Sequence, residues 1–93
     1  MKIKGLEFIK TCDACPEQYD VYLGDIKVGY VRLRHGTVRA DFPDCGGTTV
    51  YMEDVGDEWT GIFPREVDRR THLTRIADKI LAIIRRAIEE VEV

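Results

Sequence analysis

The chain has 93 residues, of which 44% are hydrophobic and 33% charged, with 17 acids against 14 bases. One domain, residues 1–93, fills that length, and the apolar share excludes a disordered or fibrous chain. A net charge of −3 argues against the strongly basic class of nucleic-acid binder.

The opening run Met1-Lys2-Ile3-Lys4-Gly5-Leu6-Glu7 alternates charged and apolar residues and contains no signal-peptide core. The longest apolar run, Ile80-Leu81-Ala82-Ile83-Ile84, is far short of the ~20 residues of a membrane span. The expectation is a cytoplasmic protein with no membrane partner, its three cysteines reduced. Charge is unevenly spread. Residues 41–68 hold eight acids and one base, whereas the segments on either side each carry a net +2.

Taken in chain order, residues 2–10 read as a first strand. Tyr19–Leu23 alternates at period two, and Gly24-Asp25 then joins it to Ile26–Arg34, a two-residue connection of the type II′ kind. Within Ile26–Arg34 the apolar side is Ile26 and Val28 at first, then Val31 and Leu33. A strand changes faces only through an extra residue, so a β-bulge is predicted at Gly29-Tyr30. His35-Gly36 turns into Thr37–Phe42, and Pro43–Gly47 is a loop. Thr48–Glu53 is the next strand, and Gly56-Asp57 leads to a last one at Glu58–Phe63, with Trp59 and Phe63 against a helix and Ile62 outward.

The C-terminal segment is helical. Leu73, Ile76, Ala77, Ile80, Leu81, Ile84, Ala87, Ile88 and Val91 recur at helical spacing and, with Ile83, cover a stripe of roughly 160°. Pro64 at the first helical position, or Asp68 or Thr71 as N-cap, are the candidate starts. Arg69-Arg70 and Arg85-Arg86 read as solvated side chains, with Arg86 placed to pair with Glu90. The assembled expectation is an α+β two-layer domain. Its curled, meander-like antiparallel sheet of five to six strands lies within residues 2–63, and one long helix at about 66–91 packs on one face.

One helix leaves the other sheet face open. If Val21, Leu23, Val31, Leu33, Val38, Ala40, Phe42, Val50 and Met52 point inward, alternation sends Tyr22, Tyr30, Arg32, Arg34, Arg39 and Tyr51 outward. Tyrosine and arginine in that mixture suit a protein interface or self-association, including a homodimer, and also make ordinary cross-strand pairs. The same chemistry can stack and neutralise single-stranded nucleic acid, which the net charge disfavours.

Cys12-Asp13-Ala14-Cys15 has the spacing of a zinc half-site. Cys45 would be the third ligand, and His35, His72 or Asp44 a fourth, but no second C-x-x-C accompanies it. A zinc-stabilised small domain on Cys12, Cys15 and Cys45 is thus a further alternative. Cys45-Gly46-Gly47 could hold a thiol nucleophile with His35 or His72 as base, although a plain glycine turn explains the same residues. No paired carboxylates, triad or ligand set can be assembled from spacing. The reading is therefore a binding module, not an enzyme, with no cofactor.

Overall fold

The computed structural model describes residues 1–12, 16–55 and 61–91. Six strands form one antiparallel sheet in the order β1-β2-β3-β4-β5-β6. They are β1 (Lys2–Ile3), β2 (Leu6–Lys10), β3 (Glu17–Leu23), β4 (Ile26–Arg34), β5 (Thr37–Phe42) and β6 (Thr48–Asp54), followed by one helix, α1 (Glu66–Val91). The open meander with a C-terminal helix on one face is the α+β architecture the periodicities predict. No helix among the described residues is long and apolar enough to cross a membrane.

The expected first strand is in fact a hairpin. Lys4 and Gly5 take positive φ values of 53° and 85°, which breaks residues 2–10 into β1 and β2 paired by Ile3 opposite Leu6. Positive φ at both central residues is the mark of a type I′ turn, and His35-Gly36 repeats it at 52° and 75° between β4 and β5. Gly24 alone is positive, at 61°, in the β3–β4 turn, as a type II′ connection requires.

Two bulges shape the sheet. Val21 pairs with Gly29 and Tyr22 with Lys27, so Val28 is the extra residue of β4, one position before the bulge predicted from the apolar phase. Val28 and Gly29 consequently both face inward, and Ile26, placed inward by sequence, is 68% exposed. A second bulge was not foreseen. Ala40 pairs with Tyr51 and Asp41 with Thr49, which makes Val50 the extra residue of β6.

The core lies between the sheet and the first half of α1. Leu6, Phe8, Val21, Val31, Leu33, Val38 and Ala40 from the strands meet Phe63, Leu73, Ile76, Ala77 and Ile80. Each Val, Leu, Ile or Phe among them contributes roughly 1.5–3 kcal/mol by its removal from water. Gly29 lets α1 approach, because a Cβ there would lie 2.7 Å from Ile80 Cδ1.

The helix starts at Glu66, as the expected span has it, but none of the candidate start residues caps it. The Arg65 carbonyl accepts the amides of Asp68 and Arg69 at 3.1 Å, so Arg65 is the capping position. Pro64 precedes it, and Thr71 is interior, donating its hydroxyl to the Val67 carbonyl. Asp68, one turn in, accepts two hydrogen bonds from the Arg65 guanidinium, at 2.9 and 3.1 Å. The carboxylate also suits the positive end of the helix dipole. The predicted turn at Gly56-Asp57 and the first half of the predicted strand 58–63, residues 58–60, lie outside the described residues. Gly61–Phe63 are not in the sheet, although Phe63 is buried and Ile62 exposed as expected.

Candidate binding face

The sheet face opposite α1 can be read row by row from the register. Gln18, Arg32, Arg39 and Met52 stand side by side across β3–β6. The next row is Asp20, Tyr30, Asp41 and Thr49. Beyond the β4 bulge follow Glu7, Tyr22 and Lys27, and at the other end Arg34, Thr37 and Asp54. Tyr22, Tyr30, Arg32, Arg34 and Arg39 therefore share this face.

Tyr51 does not. The Val50 bulge reverses the face assignment of β6, so Tyr51 points to the helix side opposite Ala40, and Met52 turns outward, 60% exposed. Both residues correct the expected assignment, which treated β6 as unbroken. The Tyr51 hydroxyl instead lies 2.8 Å from His72 Nδ1 and donates to Glu53 Oε2 at 2.9 Å. His72 is also stacked on Phe63, with ring centroids 5.7 Å apart. Burial against these neighbours holds the imidazole below its ordinary pKa of 6.5.

Charge divides the open face in two. At one end Lys27 Nζ bridges Asp20 at 3.0 Å and Asp44 at 2.8 Å. In the middle, Asp41 is buried beneath the β5–β6 loop. It accepts hydrogen bonds from Arg39 Nη2 and the Gly46 amide, both at 3.1 Å, and from Thr49 Oγ1 at 2.9 Å. Burial holds the neighbouring Tyr30 phenol above its ordinary value. At the far end, Arg32 and Arg34 make no ion pair among the described residues. With His35, Thr37, Arg39 and Met52 they line a shallow pocket of about 170 Å³. Arg32 and Arg39 stand directly opposite each other there. Like charges in that position repel, and among the described residues only Arg39 of the two has an ion-pair partner, Asp41.

The thiols do not converge in the described part of the chain. Successive connections of a meander alternate between the two ends of the strands. Half-buried Cys12, after β2, is thus at the end that carries His35, and exposed Cys45, after β5, is at the other. Cys15 lies outside the described residues, as does Trp59. Among the described residues no three His, Cys, Asp or Glu side chains gather as a metal site. His35 is at the opposite end from Cys45, and His72 is engaged by Tyr51 and Phe63 on the other face, so neither is placed as a base for it.

One cluster escaped sequence reasoning. Glu17 is buried on the helix side of β3, where Arg69 donates to it through Nε at 2.7 Å and Nη2 at 3.1 Å. Tyr19 donates its hydroxyl at 2.5 Å, and the Glu17 amide donates to the Gly61 carbonyl at 2.7 Å. Burial alone would raise the Glu17 carboxyl, but hydrogen bonds from Arg69 and Tyr19 reverse this and leave it below its ordinary value. Arg69 is therefore no solvated side chain. The sequence reading starts this strand at Tyr19, two residues too late to include Glu17, which stands in phase with the inward Tyr19 and Val21.

Comparison of the chain with protein-family models, with curated proteins and with solved structures finds no match.

Proposed function

We propose that the chain is a small, non-enzymatic binding module whose open sheet face receives an acidic segment of a protein partner, seated on Arg32, Arg34 and Arg39. The observation that carries this reading is the directly opposed pair Arg32 and Arg39, with Arg34 beside them and no counter-charge on Arg32 or Arg34 among the described residues. Guanidinium groups take carboxylates through paired hydrogen bonds, and a ligand carboxylate would relieve their mutual repulsion. Met52, exposed at the rim of the same pocket, offers an adaptable apolar contact.

A protein segment is favoured over single-stranded nucleic acid by the surroundings of Tyr30. Its neighbours on both sides in the register are carboxylates, Asp20 and Asp41. A base stacked on that ring would bring its phosphates towards them.

The test is titration of the protein with a Glu/Asp-rich peptide and with a single-stranded oligonucleotide, at low and at high salt. Arg32→Glu with Arg34→Glu reverses the free charge without touching the Arg39–Asp41 pair. Peptide affinity should fall at least tenfold in this variant while the circular dichroism spectrum and melting temperature hold. Unchanged affinity, or preference for the oligonucleotide, would reject the reading.

A further inference from the structure

The arginine pocket offers more donors than one carboxylate can use. Arg32 on β4 and Arg39 on β5 stand opposite each other, and Arg34 lies two residues further along β4 on the same face. Arg32, Thr37 and Arg39 are half-buried, their stems lying along the sheet, whereas Arg34, His35 and Met52 are exposed. Arg39 gives only one nitrogen, Nη2, to Asp41, at 3.1 Å. Three guanidiniums thus border one space of about 170 Å³, with the His35 ring at the turn beside them. A carboxylate has two oxygens in one plane, which a single guanidinium fork engages. A phosphate monoester has three oxygens in a tetrahedral array and takes such forks from more than one direction.

Charge and its confinement point the same way. Arg32 and Arg34, which make no ion pair among the described residues, bring two positive charges to the pocket. One carboxylate balances one of them. A phosphate monoester carries about −1.5 to −2 charges at pH 7 and balances both. The basic area is also small. Asp54 lies in the row of Arg34, and Asp20 and Asp41 lie in the row on the other side of Arg32 and Arg39. An extended polyanion, whether a nucleic-acid backbone or an anionic bilayer, would set its next charges against these carboxylates. One compact dianion on an otherwise neutral segment avoids them. The pocket is shallow, which suits the short stem of a phosphorylated serine or threonine.

We infer that the acidic residue this face receives is a phosphoserine or phosphothreonine of a partner protein, its phosphate held by Arg32, Arg34 and Arg39. The inference rests on the acidic-segment reading above and narrows it. Association then depends on prior phosphoryl transfer to the partner.

Calorimetric titration of the full chain with three peptides of one neutral sequence tests it, the central residue being phosphoserine, glutamate or serine. The Glu/Asp-rich peptide is titrated alongside. The phosphoserine peptide should bind at least tenfold more tightly than the glutamate peptide, and the serine peptide most weakly. Arg32→Lys separates geometry from charge, because lysine keeps the cation and loses the fork. It should remove most of the phosphoserine advantage, with folding checked by circular dichroism and melting temperature. Binding of the Glu/Asp-rich peptide with no phosphoserine advantage would overturn the inference alone. No binding of any peptide would overturn the acidic-segment reading with it. An advantage that survives Arg32→Lys in full would also overturn the inference. So would inorganic phosphate that competes as strongly as the phosphoserine peptide, or tighter binding to phosphatidylserine vesicles.

Discussion

Arg69 and Glu17, 52 positions apart, meet in a two-point ion pair that ties the start of β3 to the first turn of α1. Breaking one partner strands the other in the core. Arg69→Ala should cost about 3–5 kcal/mol, whereas Glu17→Leu combined with Arg69→Met should cost less, because it leaves no unpaired buried charge and orphans only the neutral Tyr19 hydroxyl and Phe63 amide. Urea denaturation of the three proteins decides between these outcomes.

The same pair sets a pH dependence. The Glu17 carboxyl lies below its ordinary value of 4.5 in the folded chain, so the folded state binds fewer protons there than the unfolded one. Its contribution is fully present above pH 4.5 and is lost as pH falls through the lowered value. Stability of the native chain should therefore decline more steeply below pH 4.5 than that of the Glu17→Leu, Arg69→Met double variant, as measured by denaturation at a series of pH values.

His72 acts in the same sense at higher pH. Its imidazole is held below 6.5 by burial, which outweighs the opposing pull of Glu53 and Asp68. The neutral ring is the folded form, so its contribution holds above pH 6.5 and is lost as pH falls through the lowered value. His72→Phe, which keeps a ring against Phe63, should remove part of the fall in melting temperature between pH 6.5 and 5. Proton NMR titration of the ring should give a midpoint below 6.5.

Gly29 and Ile80 form a fitted pair. A methyl group at 29 would meet Ile80 Cδ1 at 2.7 Å and Val21 Cβ at 3.3 Å. Gly29→Ala should destabilise by about 1–2 kcal/mol, and Ile80→Val by about 1 kcal/mol. Because shortening Ile80 makes room for the new methyl, the double variant should lose less than the two together. Strict additivity in thermal denaturation would contradict this packing.

The β5–β6 loop should fail at Gly47. A Cβ there would press on the Phe42 carbonyl group, with its carbon 2.8 Å away, and on the Asp44 oxygen at 3.0 Å. Backbone cannot swing aside as a side-chain tip can. Gly47→Ala should thus destabilise more than Gly29→Ala and open Asp41 to solvent, seen as faster hydrogen exchange of the Gly46 amide.

Period-two and period-3.6 patterns were enough to anticipate the sheet, four of its strands and the span of α1, because burial on one face of each element dictates them. The β4 bulge was legible for the same reason: Val28 and Val31 cannot both be core residues on an unbroken strand. The β6 bulge left no such trace. Thr48, Thr49, Val50 and Tyr51 satisfy either phase, and the bulged register is the one in which Thr49 stands opposite Asp41 and donates to its carboxylate. That is why Tyr51 and Met52 exchanged faces relative to expectation. The N-terminal hairpin was hidden because lysine in the left-handed region carries no compositional signature. Glu17 and Arg69 belong to a pairing between distant segments, which periodicity within either segment cannot reveal.

Every rung of the meander joins a strand to its neighbour in the chain. Loop-closure entropy is then small at each step, and a wiring of consecutive hairpins suits rapid, stepwise zipping. The sheet-to-helix closure, in which Glu17 meets Gly61, Phe63 and Arg69, spans about half the polypeptide and bears the larger entropic penalty. Folding should therefore be paced by the arrival of the helix on an already assembled ladder, and the last segment should be the first to leave it.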